Sequence, residues 1–283
     1  MLASIISKEI AMFEELLKLL QMPFALNALF AILPLSILCG ILGSLIIANR
    51  LSYVAGGLTH GAYGGIGIGI YFALPILLST LFFSLALALL MAYLIRHYKH
   101  SSDNFIGTIW AFGMALGILL IDLSAGYKAD LMGYLFGNIL VLSEFNLWLL
   151  GLLALVFSSI IFLFYPQIHA LSYDEDFAKL RGVQSEKIFY LLIVMISMCV
   201  VVSMQAVGLI LVIALLSIPT FIAQYLSKTL RQMMLFSIFF NLIFCFLGLI
   251  LSFYFDLSSG ASIIFVSILG FIVFLRSRFF LKI

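Results

Sequence analysis

Charge is what this chain has least of. Aspartate, glutamate, lysine and arginine make up 9% of its 283 residues, while hydrophobic residues make up 65%, and the mean hydropathy is +1.29. That leaves too little polar surface to coat a water-soluble domain. Apolar stretches of about 20 residues recur along nearly the whole length, each long enough to cross roughly 30 Å of hydrocarbon as a helix. They do not alternate polar with apolar residues, which excludes a membrane β-barrel of strands about ten residues long. The expected fold is all-α, a polytopic transmembrane bundle of about eight or nine spans.

Other absences narrow the function. Cys39, Cys199 and Cys245 each stand alone in an apolar run with no CxxC pair, so they read as packing residues rather than as a disulfide or thiolate metal site. No lysine follows a glycine anywhere, so the chain has no Walker-type phosphate loop and no ATPase of its own. No histidine is followed by glutamate, which removes the HExxH protease motif. The spans hold no catalytic pair of acids, and an enzyme is not expected. Asp122 and Asp256 fall near helix ends, so the buried carboxylates of a proton-driven pump are missing too. A passage across the membrane without its own engine remains. The net charge of +2 says little about partners, and neither a nucleic-acid partner nor a resident cofactor is expected.

What is present divides the chain in two. Ile6, Ile10, Phe13, Leu17 and Leu20 keep helical spacing between Lys8, Glu9, Glu14, Glu15 and Lys18, so residues 1–20 read as an amphipathic helix on the membrane surface. That charge also argues against a cleaved signal peptide. Residues 21–283 read as one transmembrane domain with spans near 24–48, 56–74, 75–97, 104–123, 145–165, 188–206, 208–226, 232–254 and 258–276. The pairs meeting at Pro75 and near Gly208 have almost no linker, so one of these spans could be kinked or half-length. Residues 128–144 are too interrupted for a span and read as a helix at the outer rim. Residues 171–183 suit a short helix stopped by Gly182.

Lysine and arginine set the orientation. Placing Arg50, Arg96, Lys99, Lys179, Arg181, Lys187, Lys228, Arg231, Arg276, Arg278 and Lys282 in the cytoplasm leaves only Lys8, Lys18 and Lys128 of the 14 for the other side. This positive-inside bias puts the N-terminus outside and the C-terminus in the cytoplasm.

The stretch GGLTHGAYGGIGIG at 56–69 is the most pointed motif. Gly57, Gly61, Gly65 and Gly69 recur every fourth residue, line one helix face and admit another backbone closely. Gly56, His60 and Gly64 form the neighbouring stripe, which leaves room beside the imidazole. An ionisable group within a span faces protein or a wet cavity and marks function by default, and imidazole suits zinc, copper, nickel and iron. The plainer reading is a histidine that satisfies a neighbouring helix and does nothing else. Asp122, Asp130, Asn138, Glu144 and Asp256 sit near outer span ends, where such groups are ordinarily solvated. His97, His100 and His169 lie in or beside basic loops and read the same way.

Four ordered runs then carry a resemblance. LCGILGSLIIANRLSYVAGGLTHGAYGGIGIGIYF, DLMGYLFGNILVLS, DEDFAKLRGV and MQAVGLILVIALLSIPTFIAQYLSKTLRQM resemble, over about residues 24–276, the membrane permeases of the zinc, manganese and iron ABC importers (the ABC-3 family). The zinc-uptake branch is the nearest. The resemblance implies the fold of the vitamin B12 and siderophore importers, a path at a dimer axis and a bacterial cytoplasmic membrane. It also implies a second permease copy as homodimer partner, a cytoplasmic ATPase dimer and an extracytoplasmic metal-binding protein. It assigns ATPase coupling to 218–234, with Pro219, Gln224, Ser227, Lys228 and Arg231 as contacts and 172–187 nearby.

His60 matches the family's path histidine, a transient metal contact. Gly56 stands where the family carries an aspartate four residues earlier, and Asn138 stands for another frequent acid. Losing both hard oxygen ligands disfavours a preformed manganese site and favours an ion that accepts imidazole. Zinc is thus the expected cargo. Manganese, iron(II) or a metal chelate on the same architecture, or a scaffold subunit without a path, are the alternatives.

Overall fold

The computed structural model describes residues 23–98, 101–124, 133, 135, 137 and 139–281. The expected surface helix at 1–20 lies outside them, as do Asp130, Asn138, His100 and most of 128–144. Helices α1 (Pro23–Ala48), α2 (Ser52–Gly61), α3 (Tyr63–Tyr71), α4 (Ile76–His97) and α5 (Ser102–Leu123) come first, and a 3-10 turn at Ile139–Val141 follows. Then come α6 (Glu144–Leu163), α7 (Tyr165–Tyr173), α8 (Glu175–Leu180), α9 (Ser185–Val207), α10 (Leu209–Leu226), α11 (Leu230–Phe255) and α12 (Ser259–Leu281). Among the described residues there is no strand. The all-α expectation holds.

Among the described residues eight helices are long and apolar enough to cross a membrane: α1, α4, α5, α6, α9, α10, α11 and α12. The pair α2–α3 has the combined length of a further span, with one turn residue at Ala62 whose backbone angles stay helical. Glycine contacts fix its direction, since Gly57 faces Met91, Gly61 faces Leu87, Gly65 faces Thr80 and Gly69 faces Ile76. The pair therefore runs antiparallel to α4 along most of that helix. Gly61 meets Gly113 and Gly67 meets Gly117, so it runs parallel to α5. Of the spans expected to meet at Pro75 and near Gly208, the glycine-rich one before Pro75 is the one that is interrupted, while α10 keeps its full 18 residues.

Central α1 packs on α11, α10 and α6, α4 packs along α9, and α12 closes the far side against α11 and α10. Leu35, Leu38, Leu42 and Leu45 of α1 are fully buried with Leu192 and Ile193 of α9. Several buried hydroxyls return to their own helices, Ser44 donating to the Gly40 carbonyl at 2.8 Å and Ser267 to that of Ile263 at 2.8 Å, while Thr220 of α10 and Ser237 of α11 pair with each other at 2.7 Å. Such local bonds let serine sit where no water reaches. Gly208 alone joins α9 to α10 at φ +84°, a backbone region that L side chains avoid.

One end of the bundle is basic. Asn49 donates to Ser172 Oγ at 3.0 Å, Arg96 reaches Glu175 and Ser185, and the Arg231 guanidinium lies 5.5 Å from the Tyr165 ring. These contacts collect the loop after α1, the end of α4, α7, α8 and the start of α11 at one level.

Candidate functional site

The glycine-rich pair α2–α3 positions the site. Glycine removes the side chains that hold helices apart. A Cβ on Gly65 would lie 2.5 Å from Thr80 Cα, and one on Gly67 would lie 2.6 Å from Gly117 Cα. The stripe Gly57, Gly61, Gly65 and Gly69 faces α4 as its spacing predicts. Gly64 faces Phe83 of α4 and the Gly113 carbonyl of α5, so the room expected on that side of His60 is filled. Gly56 has nothing within 4 Å of where its Cβ would be. The space beside the histidine stripe lies at this end only.

His60 is half-buried and stacks on Trp110 of α5, with ring centroids 4.5 Å apart and planes 10° apart. Trp110 Nε1 donates to Met114 Sδ at 3.1 Å, which fixes the indole. Among the described residues His60 Nδ1 is buried without a hydrogen-bond partner. A buried nitrogen in that condition costs free energy unless something outside the chain satisfies it. Sequence reasoning missed the Trp110 stack, because helical spacing within α2 says nothing about which ring α5 brings across.

Gly56 and Thr59 open onto a cleft of about 310 Å³ between α1, α2, α10 and α12, which Ile213, Ser217, Phe221 and Phe271 also line. His60 is one turn from its wall. Among the described residues no three His, Cys, Asp or Glu side chains gather to hold a metal. Asp122, Glu144 and Asp256 are exposed at helix ends, and Asp256 caps α11 in the left-handed region at φ 52°. None of them joins His60. His97 stacks on Tyr93, with Nδ1 2.9 Å from the Tyr93 carbonyl oxygen, and His169 packs between Tyr165 and Tyr173.

At the basic end α8 is built to stand out. Asp174 caps it, its carboxylate accepting from the Asp176 and Phe177 amides at 3.0 Å, and Gly182 stops it at φ +79°, as its sequence predicts. Ala178 is buried, whereas Phe177 is exposed and Leu180 is 87% exposed. Burial alone would raise the Glu175 carboxyl, but hydrogen bonds from Lys179 and Arg96 outweigh it and hold the group below its ordinary value. The segment 218–234 is the end of α10, a tight turn at 227–229 and the start of α11, capped by Thr229. Of its expected contacts Gln224, Lys228 and Arg231 are exposed, Ser227 is partly so, and Pro219 is buried inside α10.

Many apolar helices, a lone histidine beside a closely packed glycine helix and a basic end define a polytopic helical membrane protein. The family model described as the ABC 3 transport family matches residues 21–278, and the chain belongs to that family. It is 43% identical over 273 residues to a membrane protein of Synechocystis, covering 96% of this chain and 97% of that one. It is 30% identical over 258 residues to the manganese transport system membrane protein MntC of Listeria monocytogenes, covering 91% and 92%. Among solved structures, PsaBC from Streptococcus pneumoniae in complex with Fab superposes with a TM-score of 0.82 at 28% identity, covering 93% of this chain and 95% of that one.

Proposed function

We propose that this chain is the membrane-spanning subunit of an importer for a divalent transition-metal ion, driven by ATPase subunits on separate chains. The observation that carries the reading is His60, a ring held against Trp110 with a buried, unpartnered nitrogen. Family membership and the manganese-transport name of the Listeria relative support it. An ion that must be released in each cycle calls for few and transient ligands, and a single imidazole fits that demand.

Zinc is the first reading of the cargo, because the stripe offers imidazole and no carboxylate. Manganese is the second, favoured by what the Listeria relative is named for. The partners are a cytoplasmic ATPase pair, an extracytoplasmic metal-binding protein and a second copy of the chain, whose His60 would complete the path. The ATPase docks at the basic end, where Leu180 and Phe177 of α8 stand exposed beside Gln224, Lys228 and Arg231. The basic end then faces the cytoplasm, as the positive-inside rule requires, with the C-terminus on that side.

Uptake of labelled zinc, with manganese and iron(II) as competitors, tests this in vesicles holding the chain, its ATPase and its binding protein. We expect ATP-dependent accumulation that falls about tenfold or more in His60→Ala with assembly intact, the scale on which losing a metal contact acts. Preferential accumulation of manganese exchanges the cargo and keeps the rest. Unchanged metal uptake in His60→Ala removes the histidine from the path, and vesicles that move no metal overturn the reading.

A further inference from the structure

Arg96 closes the last turn of α4 at the basic end, and its side chain is only 14% exposed. One guanidinium nitrogen is hydrogen-bonded to Glu175 Oε1, and the other donates to the Ser185 carbonyl at 3.2 Å. The guanidinium carbon lies 4.5 Å from the centre of the Phe189 ring. One side chain of α4 thus holds the first residue of α8, the first residue of α9 and an aromatic one turn further on. Lys179 also reaches Glu175, at 3.0 Å, but is itself half-exposed and stays within α8.

The geometry has a mechanical reading. Helix α8 is short and packs on α7 and the start of α9. Arg96 is its polar tie to α4, and α4 in turn lies against Gly57, Gly61, Gly65 and Gly69 of the helix pair that carries His60. Gly57 and Gly61 beside His60 meet the Met91 and Leu87 side chains, and Gly65 and Gly69 further on meet the α4 backbone at Thr80 and Ile76, so the glycine face seats α4 closely along the whole pair. An arginine this buried, bonded at once to a carboxylate and to a backbone carbonyl, is a stiffer joint than an exposed lysine pair.

We infer that the Arg96–Glu175 pair is the joint that passes movement of α8 to α4, and through the glycine contacts to the segment carrying His60. Arg96 is a positioning residue here and touches no cargo. The inference rests on the proposed function, since it takes the basic end as the face where the ATPase docks.

The test separates transport from ATP hydrolysis. The full complex of this chain, its ATPase and its binding protein is reconstituted, and metal moved per ATP hydrolysed is measured for wild type, Arg96→Gln, Glu175→Gln, the double variant and Lys179→Gln. Wild type must show ATP-driven metal uptake. If it does not, the proposed function fails, and this inference with it. Given that uptake, each single variant is expected to keep its ATPase bound and hydrolysing within about twofold while metal moved per ATP falls about tenfold, within the range of coupling contacts. The double variant should lose no more than Arg96→Gln alone, because that substitution already removes the shared Arg96–Glu175 interaction. Lys179→Gln should match wild type. Unchanged transport per ATP in Arg96→Gln and Glu175→Gln, additive losses in the double variant, or failure of the singles to hold the ATPase would each overturn the joint.

Discussion

Single atoms decide how this molecule tolerates change. A methyl group at Gly65 must displace the α4 backbone at Thr80, 2.5 Å away, whereas one at Gly56 meets nothing within 4 Å. Overpacking against backbone costs about 1–3 kcal/mol, and a substitution in open space falls within roughly 0.5 kcal/mol of neutral. Gly65→Ala is therefore expected to lower the thermal midpoint of the detergent-solubilised protein, and Gly56→Ala to leave it in place. Equal midpoints for the two would mean that α3 and α4 do not hold each other at backbone distance. The spacing of these glycines was legible in the sequence, since a four-residue repeat can only mark one helix face. That Gly64, on the stripe read as open, also meets a partner was not legible. That depends on where Phe83 and Gly113 arrive from other helices.

Among elements, α8 is the one whose attachment is electrostatic. Glu175 is held below its ordinary value of 4.5, with Lys179 and Arg96 opposing the effect of burial. A carboxyl with a lowered value contributes its stability fully above the unfolded value and loses it as pH falls through the folded one. Lys179 is shifted upward from 10.5 by the same carboxylate, so its share is lost only as pH rises past that raised value. A spin label at Leu180→Cys should report constant mobility from about pH 5 to about pH 8 and increased mobility only below about pH 4. A transition near neutrality would point to some other attachment. The sequence showed this helix within 171–183 and its stop at Gly182. It did not show Arg96 as the anchor, because residues 79 apart carry no periodic signal. The span ends were readable for the same local reason, and so was the weakness of the span before Pro75, but with glycines on both sides no single residue placed its turn at Ala62.

At the scale of the molecule, the crossings place the two ends of the described chain on opposite sides of the bundle, with Arg50, Arg96 and Arg231 together at one end. If that end faces the cytoplasm, a membrane-impermeant maleimide should label Leu180→Cys in inside-out vesicles and not in intact cells. Cys39, Cys199 and Cys245 are fully buried, so the unsubstituted chain serves as the blank. Labelling of intact cells would reverse the orientation. The glycine-rich span also bears on how the chain is made. Ala62 keeps helical angles and its N–H bonds to the Leu58 carbonyl at 2.9 Å, so the stretch 52–71 has the length of one span. Its glycines leave it little side-chain surface of its own to offer lipid, and α4 and α5, which follow it in the chain, supply its cover. Faults in those two later helices would then show first as rapid turnover of newly made chains, before any deficit in transport could be measured.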